Sequence, residues 1–354
     1  VDGTQANREG RSMPRRIRDS VVVITGASSG IGRATAQAFA AQGATVVLAA
    51  RNGEALREVR RECNSRGGRA LMVPTDVCGE AQVRALAETT LRNFGRIDVW
   101  VNNAAVSLFG RIEDVPSEDY EKVLRTNVFG YVYGARAVIP VFREQGSGVL
   151  INVSSVVGSV GQPFTSAYVT SKWAIRGLGE SLRMELQDAP GIHVCTVMPG
   201  TIDTPLFQHA ANFSGRAVKA MEPVYPPEAV ANTILSLADS PKREVFVGNA
   251  ARAIAAGHGL SAGMMEKIMA RRTDRKHFQE RIAAPTHGNL FQPMKDSMRG
   301  GWASGSQTEA ALRRVSGAMS NNTGKLVAAG AVLAAALPLG MLAWRRVQQS
   351  RQPW

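Results

Sequence analysis

Residues 21 to 40 leave a chain of this kind few choices. Val21-Val22-Val23-Ile24 is a short, uncharged, β-branched run, as a central parallel strand buried on both faces requires. Thr25-Gly26-Ala27-Ser28-Ser29-Gly30-Ile31-Gly32 follows at once, and Arg33 to Ala40 is rich in alanine, the strongest helix former. A strand, a glycine turn and a helix in that order make a phosphate-binding loop. The glycines let the backbone approach a pyrophosphate, and the helix start offers free N–H groups and positive dipole. Strand and helix patterns alternate from there to about Phe246-Val247-Gly248. The expected fold is α/β, a doubly wound parallel sheet of Rossmann-like form, in a single domain over residues 18–250.

A second constellation lies downstream. Tyr168 and Lys172 stand four apart, so on a helix they share a face. A free tyrosine titrates near pH ~10, too high for acid–base work at neutral pH, and a neighbouring ammonium lowers that value. An isolated pair of this kind is usually a surface Tyr and a solvated Lys. Here Gly148-Val149-Leu150-Ile151-Asn152-Val153 reads as a buried strand ending in Ser154-Ser155. Open α/β sheets place ligands at such strand ends. Ser155 there is a candidate hydrogen-bond donor to a substrate oxygen, its blander alternative being a turn hydroxyl.

The glycine spacing is Gly-x-x-x-Gly-x-Gly, and with Tyr-x-x-x-Lys downstream the chain resembles the short-chain dehydrogenase/reductase family over roughly residues 18–250. Further motifs carry the resemblance: Asp76-Val77 as the adenine-side aspartate segment, Asn102-Asn103-Ala104-Ala105 with Ala105 in place of a glycine, Asn127 in Thr126-Asn127-Val128, and Pro199-Gly200-Thr201-Ile202-Asp203-Thr204. Ser155 stands thirteen before Tyr168, the family's offset, and is preferred to Ser154. The resemblance implies Tyr168 as proton donor, Ser155 holding the substrate oxygen, Lys172 tuning the tyrosine and holding the ribose, and Asn127 supporting a water relay. It implies a cofactor site of Gly26, Ser28, Ser29, Gly30, Ile31, Gly32, Asp76, Val77, Asn103, Ala104, Tyr168, Lys172, Pro199, Gly200, Ile202 and Thr204. The segment from Ile202 to Pro226, with Phe207, Phe213 and Tyr225, is expected to cover a hydrophobic small-molecule carbonyl/alcohol substrate.

The nicotinamide type turns on one position. Sites for NAD carry an acid after the second strand, which bonds the ribose 2′-hydroxyl. Here Arg51 follows Thr45-Val46-Val47-Leu48-Ala49-Ala50. A guanidinium suits a 2′-phosphate, so NADP(H) is the expected cofactor and Arg51 joins the cofactor site. An NAD-dependent alcohol dehydrogenase and a dinucleotide-binding scaffold without turnover are the alternatives.

Charge locates the remainder. The net charge of +13 is concentrated in residues 251–354, which hold fifteen basic and five acidic side chains. The tail has no nucleic-acid motif, so a membrane-facing or solvating role is expected and nucleic acid is not. Cys63, Cys78 and Cys195 are scattered, and no His/Cys cluster suggests a metal. Residues 1–17 read as a flexible leader without a signal peptide, 251–282 as a helical extension and 283–324 as a Gly/Ser/Pro/Asn-rich linker. Leu326 to Trp344 is uncharged and spans roughly 28 Å as a helix, close to a ~30 Å hydrocarbon core. Residues 325–346 are therefore expected to form a transmembrane helix, with 347–354 as a tail and the catalytic domain cytoplasmic. The blander alternative is an alanine-rich helix at an oligomer contact of a soluble cytoplasmic protein. A homo-oligomer is expected.

Overall fold

The structure, a computed structural model, describes residues 17–294. The leader before residue 17, the later part of the expected linker, the expected span 325–346 and the tail lie outside the described residues. The first half runs β1 (Val21–Thr25), α1 (Gly30–Ala41), β2 (Thr45–Ala50), α2 (Gly53–Ser65), β3 (Arg69–Pro74), α3 (Glu80–Phe94), β4 (Val99–Asn102), β5 (Leu108–Phe109), α4 (Ser117–Leu124) and α5 (Gly130–Gln145). There follow β6 (Gly148–Val153), α6 (Ser166–Glu185), β7 (Ile192–Pro199), β8 (Thr201–Ile202), β9 (Ala211–Asn212), β10 (Arg216–Val218), β11 (Val224–Tyr225) and α7 (Pro227–Asp239). The described chain closes with β12 (Glu244–Val247), α8 (Asn249–Leu260), α9 (Ala262–Lys276) and β13 (Phe278–Ile282).

Seven strands form one parallel sheet in the order β12-β7-β6-β4-β1-β2-β3. This is the doubly wound arrangement that the β-branched runs predict. All five residues of β1 are buried, as expected for a strand covered on both faces. On one face Phe39 and Ala40 of α1 pack with Leu56 of α2 and Ile234 of α7. On the other, Leu86 of α3, Phe142 of α5 and Leu182 of α6 close over Trp100 and Leu150. The strand order reverses beside β1, where β4 lies on one side and β2 on the other. That switch point is where such sheets bind ligands.

The C-terminal extension departs from expectation. Residues 251–282 are not helical throughout: the helix breaks at Ser261, and 278–282 form β13 against β10. Residues 283–294 do not run free as a linker. Thr286 bridges Asn212, and Asn289 N–H donates to the His209 carbonyl at 2.9 Å. Leu290 is fully buried beside Val106 and Leu108, and His287 Nδ1 lies 2.9 Å from the buried Asp119 carboxylate. An apolar side chain and an imidazole with partners waiting in the fold hold this arm in place. No helix among the described residues is long and apolar enough to cross a membrane.

Candidate active site

The glycine turn is shaped by its neighbours across the switch point. Gly26 has φ +67°, and a Cβ there would meet the Ala104 Cα at 2.7 Å. Gly32, in the first turn of α1, touches the glycine turn, and a side chain there would run into the Gly26 carbonyl and the Asn103 amide. Asn103 fastens the arrangement, its Nδ2 donating to the Thr25 carbonyl at 3.0 Å. The result is a backbone cradle at the N-terminus of α1, held by the close packing of Gly26 and Gly32 against Ala104, Asn103 and the turn itself.

A cavity of about 210 Å³ lies over this cradle. Gly26, Ser28, Ser29, Gly30 and Ile31 line its floor, and Arg51, Asp76 and Val77 one wall. Asn103, Ala104, Tyr168, Lys172 and Thr204 line the remainder. Gly32 does not reach this surface; it is a packing residue. Ala105 borders the cavity without the positive φ that a glycine would have tolerated, since Phe164 is the only non-glycine residue with positive φ among the described residues. A second cavity, about 110 Å³, is lined by Ser155, Pro199, Gly200 and Ile202. Ile31, Tyr168 and Thr204 border both.

The structure brings Ser155, Tyr168 and Lys172 close together. β6 ends at Val153 and presents the two serines. Ser154 Oγ donates to the Lys172 carbonyl at 2.9 Å and is thereby used in packing. Ser155 caps a three-ten turn, with its Oγ 3.4 Å from the Val157 N–H, and it is near enough to Tyr168 to favour the ionised phenol. Lys172 is fully enclosed, and its Nζ donates to the Val153 carbonyl at 3.0 Å. The same Nζ sits 5.3 Å from the Tyr168 ring centre.

The electrostatics differ from the expected scheme. Burial pushes the Tyr168 phenol up to about 12, opposed by the Ser155 hydrogen bond. Burial lowers the Lys172 ammonium to about 7. Desolvation of both groups therefore outweighs the help that an ammonium would give a phenolate. The consequence is a phenol that stays protonated at neutral pH.

Asn127 is placed otherwise than a cavity residue. Residues 125–129 wind as a π-helix, and Asn127 is fully buried there. Its Nδ2 donates to the Val106 carbonyl at 2.9 Å and to Ser171 Oγ at 3.0 Å, and its Oδ1 accepts from the Val106 N–H. It braces α6 from behind. Phe207 and Tyr225 border the second cavity as expected, but Phe213 does not: it packs near Val106 and Leu108 and against the His287 ring.

Sequence reasoning missed the C-terminal contribution. Asn289, Pro293 and Met294 line the first cavity, and Ala251, Ile254, Met269, Arg272 and His277 line the second. The Met265/Met269 spacing on α9 was the available signal, and both methionines pack towards Val156, Val157 and Tyr168. Arg51 has a further unanticipated duty. Its Nη1 donates to the Leu290 carbonyl at 2.9 Å and its Nη2 to the Asn289 carbonyl at 2.5 Å. A guanidinium carries five N–H donors, so these bonds leave capacity for another acceptor.

The short chain dehydrogenase pattern matches residues 20–214. An uncharacterized oxidoreductase, YxnA, of Bacillus subtilis is 45% identical over 263 residues, covering 72% of this chain and 74% of that one. A metagenomic short-chain oxidoreductase solved with NADP is 32% identical with a TM-score of 0.56, covering 64% of this chain and 96% of its own. A short chain dehydrogenase/reductase from Burkholderia phymatum, solved with NAD, shares the fold at 24% identity and a TM-score of 0.65, covering 76% of this chain and all of its own. With the matched stretch running from β1 past the Ser155–Tyr168–Lys172 cluster, the chain belongs to the short-chain dehydrogenase family of NAD(P)-binding oxidoreductases.

Proposed function

We propose that the protein is an NADP(H)-dependent oxidoreductase that interconverts a carbonyl and an alcohol on a hydrophobic small molecule. The observation that carries this reading is the position of Tyr168. The residue borders both the glycine-turn cavity and the second, largely apolar one, which Ser155 also lines. The glycine turn, with Gly26 and Gly30 at the cavity surface, fits a pyrophosphate, and Arg51 with spare donors suits a 2′-phosphate. The bound dinucleotide would supply hydride chemistry at its nicotinamide. Ser155 Oγ donates a hydrogen bond to the substrate oxygen, and the Tyr168 hydroxyl gives that oxygen its proton. Lys172 holds the ribose side, while Pro199, Gly200, Ile202 and Thr204 form the floor beneath the reacting carbon. A phenol protonated at neutral pH suits the reductive direction. Incubation with NADPH and a panel of apolar ketones and aldehydes tests the reading. Consumption of NADPH with formation of the alcohol is the expected result; cofactor binding without turnover on any member would make the chain a scaffold.

Membrane attachment through residues 326–344 is also part of the proposal, supported by nineteen uncharged residues bounded by Lys325 and Arg345. The catalytic domain would then sit on the cytoplasmic side. A chain ended at Ser320 should stay in the high-speed supernatant and keep its activity, whereas the full chain should pellet with membranes and need detergent. Full-length protein in the supernatant without detergent would discard this attachment.

A further inference from the structure

The second cavity is finished by a residue from beyond the family-matched stretch. His277 lies between α9 and β13 and is 4% exposed. It borders the same cavity as Ser155 and Tyr168. The rings of Phe109 and Phe207 stand 5.0 and 5.5 Å from its own, centre to centre. Its Nδ1 is 2.7 Å from the Lys219 carbonyl oxygen. A carbonyl only accepts, so Nδ1 carries a proton. Burial lowers the imidazole pKa, which keeps the ring neutral. A neutral imidazole protonated on Nδ1 has a bare acceptor at Nε2. No described residue supplies a hydrogen bond to that nitrogen.

We propose that His277 Nε2 accepts a hydrogen bond from a hydroxyl or N–H of the substrate, and that the cavity takes an apolar carbonyl compound carrying such a donor away from its reacting carbon. This rests on Ser155 and Tyr168 marking the reacting end. The physical reason is the surroundings of the lone pair. Among aromatic rings a bare acceptor is costly to leave dry. Water can pair with it while the cavity is free of substrate. A substrate that displaces the water without bringing a donor leaves the nitrogen unpaired, and the site rejects that substrate. A purely apolar cavity would have no such preference. Arg272 and Glu222 border the same cavity with opposite charges, so the rim does not single out an anionic group.

The test uses matched pairs of aryl ketones that differ by one hydroxyl, with the ring two to five carbons from the carbonyl. Initial rates with NADPH are read alongside calorimetric affinities for the enzyme–NADP complex, which need no turnover. The wild type should favour the hydroxyl-bearing member of at least one pair about tenfold, in line with an acceptor otherwise left unpaired. His277→Phe should abolish that preference, read as the ratio between the two members of each pair. His277→Gln, whose amide oxygen can accept, should restore part of it. Absence of a wild-type preference in every pair, or its persistence in His277→Phe, overturns the proposal. Failure of the enzymatic reading looks different: no ketone of either kind is reduced, whereas the affinity differences still report on His277.

Discussion

Tyr168→Phe is expected to leave cofactor affinity close to wild type and to lower kcat for ketone reduction by about 10²–10⁴-fold, the usual contribution of general acid–base assistance. The substitution removes one oxygen and keeps the ring, so the packing of Tyr168 with Val156, Val157 and Met221 survives. What disappears is the only phenol among the described residues that borders both cavities. With the phenol raised to about 12 by burial, the wild-type group is protonated throughout the neutral range. The loss should accordingly be as large at pH 6 as at pH 8. Lys172, lowered to about 7, cannot deputise, because its Nζ is directed at the Val153 carbonyl. Steady-state rates and cofactor titration by fluorescence separate the two effects. Retention of more than a tenth of wild-type kcat would remove Tyr168 from the chemistry.

Arg51→Asp should move the preference from NADPH towards NADH by roughly ten- to a hundredfold in the ratio of kcat/KM values. Hydrogen bonds to charged groups contribute about 1.5–3 kcal/mol, and each 1.4 kcal/mol is about tenfold. The new carboxylate repels a 2′-phosphate and accepts a bond from a 2′-hydroxyl. The side chain also holds the carbonyls of Asn289 and Leu290, which an aspartate cannot do. The ratio is therefore the informative quantity. If Arg51 served only to fasten the C-terminal arm, both cofactors would suffer alike and the ratio would stay constant.

Much of the fold was legible because the sheet is buried on both faces. Val21 to Ile24 and Gly148 to Val153 have no polar face to confuse the reading, and both are strands at the stated positions. The convergence of Ser155, Tyr168 and Lys172 was legible for a local reason: two lie one helical turn apart, and the third ends a neighbouring strand. What failed depended on contacts distant in sequence. Phe278-Gln279-Glu280-Arg281-Ile282 follows a helix and has no strong strand signature; it becomes a strand because β10 offers it an edge. Residues 283–294 have the composition of a linker, and their attachment to Arg51 runs through backbone carbonyls, which every residue possesses. Phe213 carried the right chemistry for a substrate cover but points into a separate cluster behind the site. The lowered Lys172 and raised Tyr168 come from desolvation, a property of the packed interior that a four-residue spacing does not contain.

The arm over the glycine-turn cavity bears on timing. Asn289, Pro293 and Met294 form part of the wall against which a dinucleotide would rest, and they follow the glycine turn by more than 250 residues. During synthesis the glycine turn precedes its cover, which emerges only after every other described element. A nascent chain can thus fold its sheet with the pocket still open along one flank. In the finished protein, a cofactor entering or leaving past that flank must displace the bonds from Arg51 to Asn289 and Leu290 and the seat of Leu290. The residence time of a dinucleotide that used that route would be tied to the docking strength of the arm.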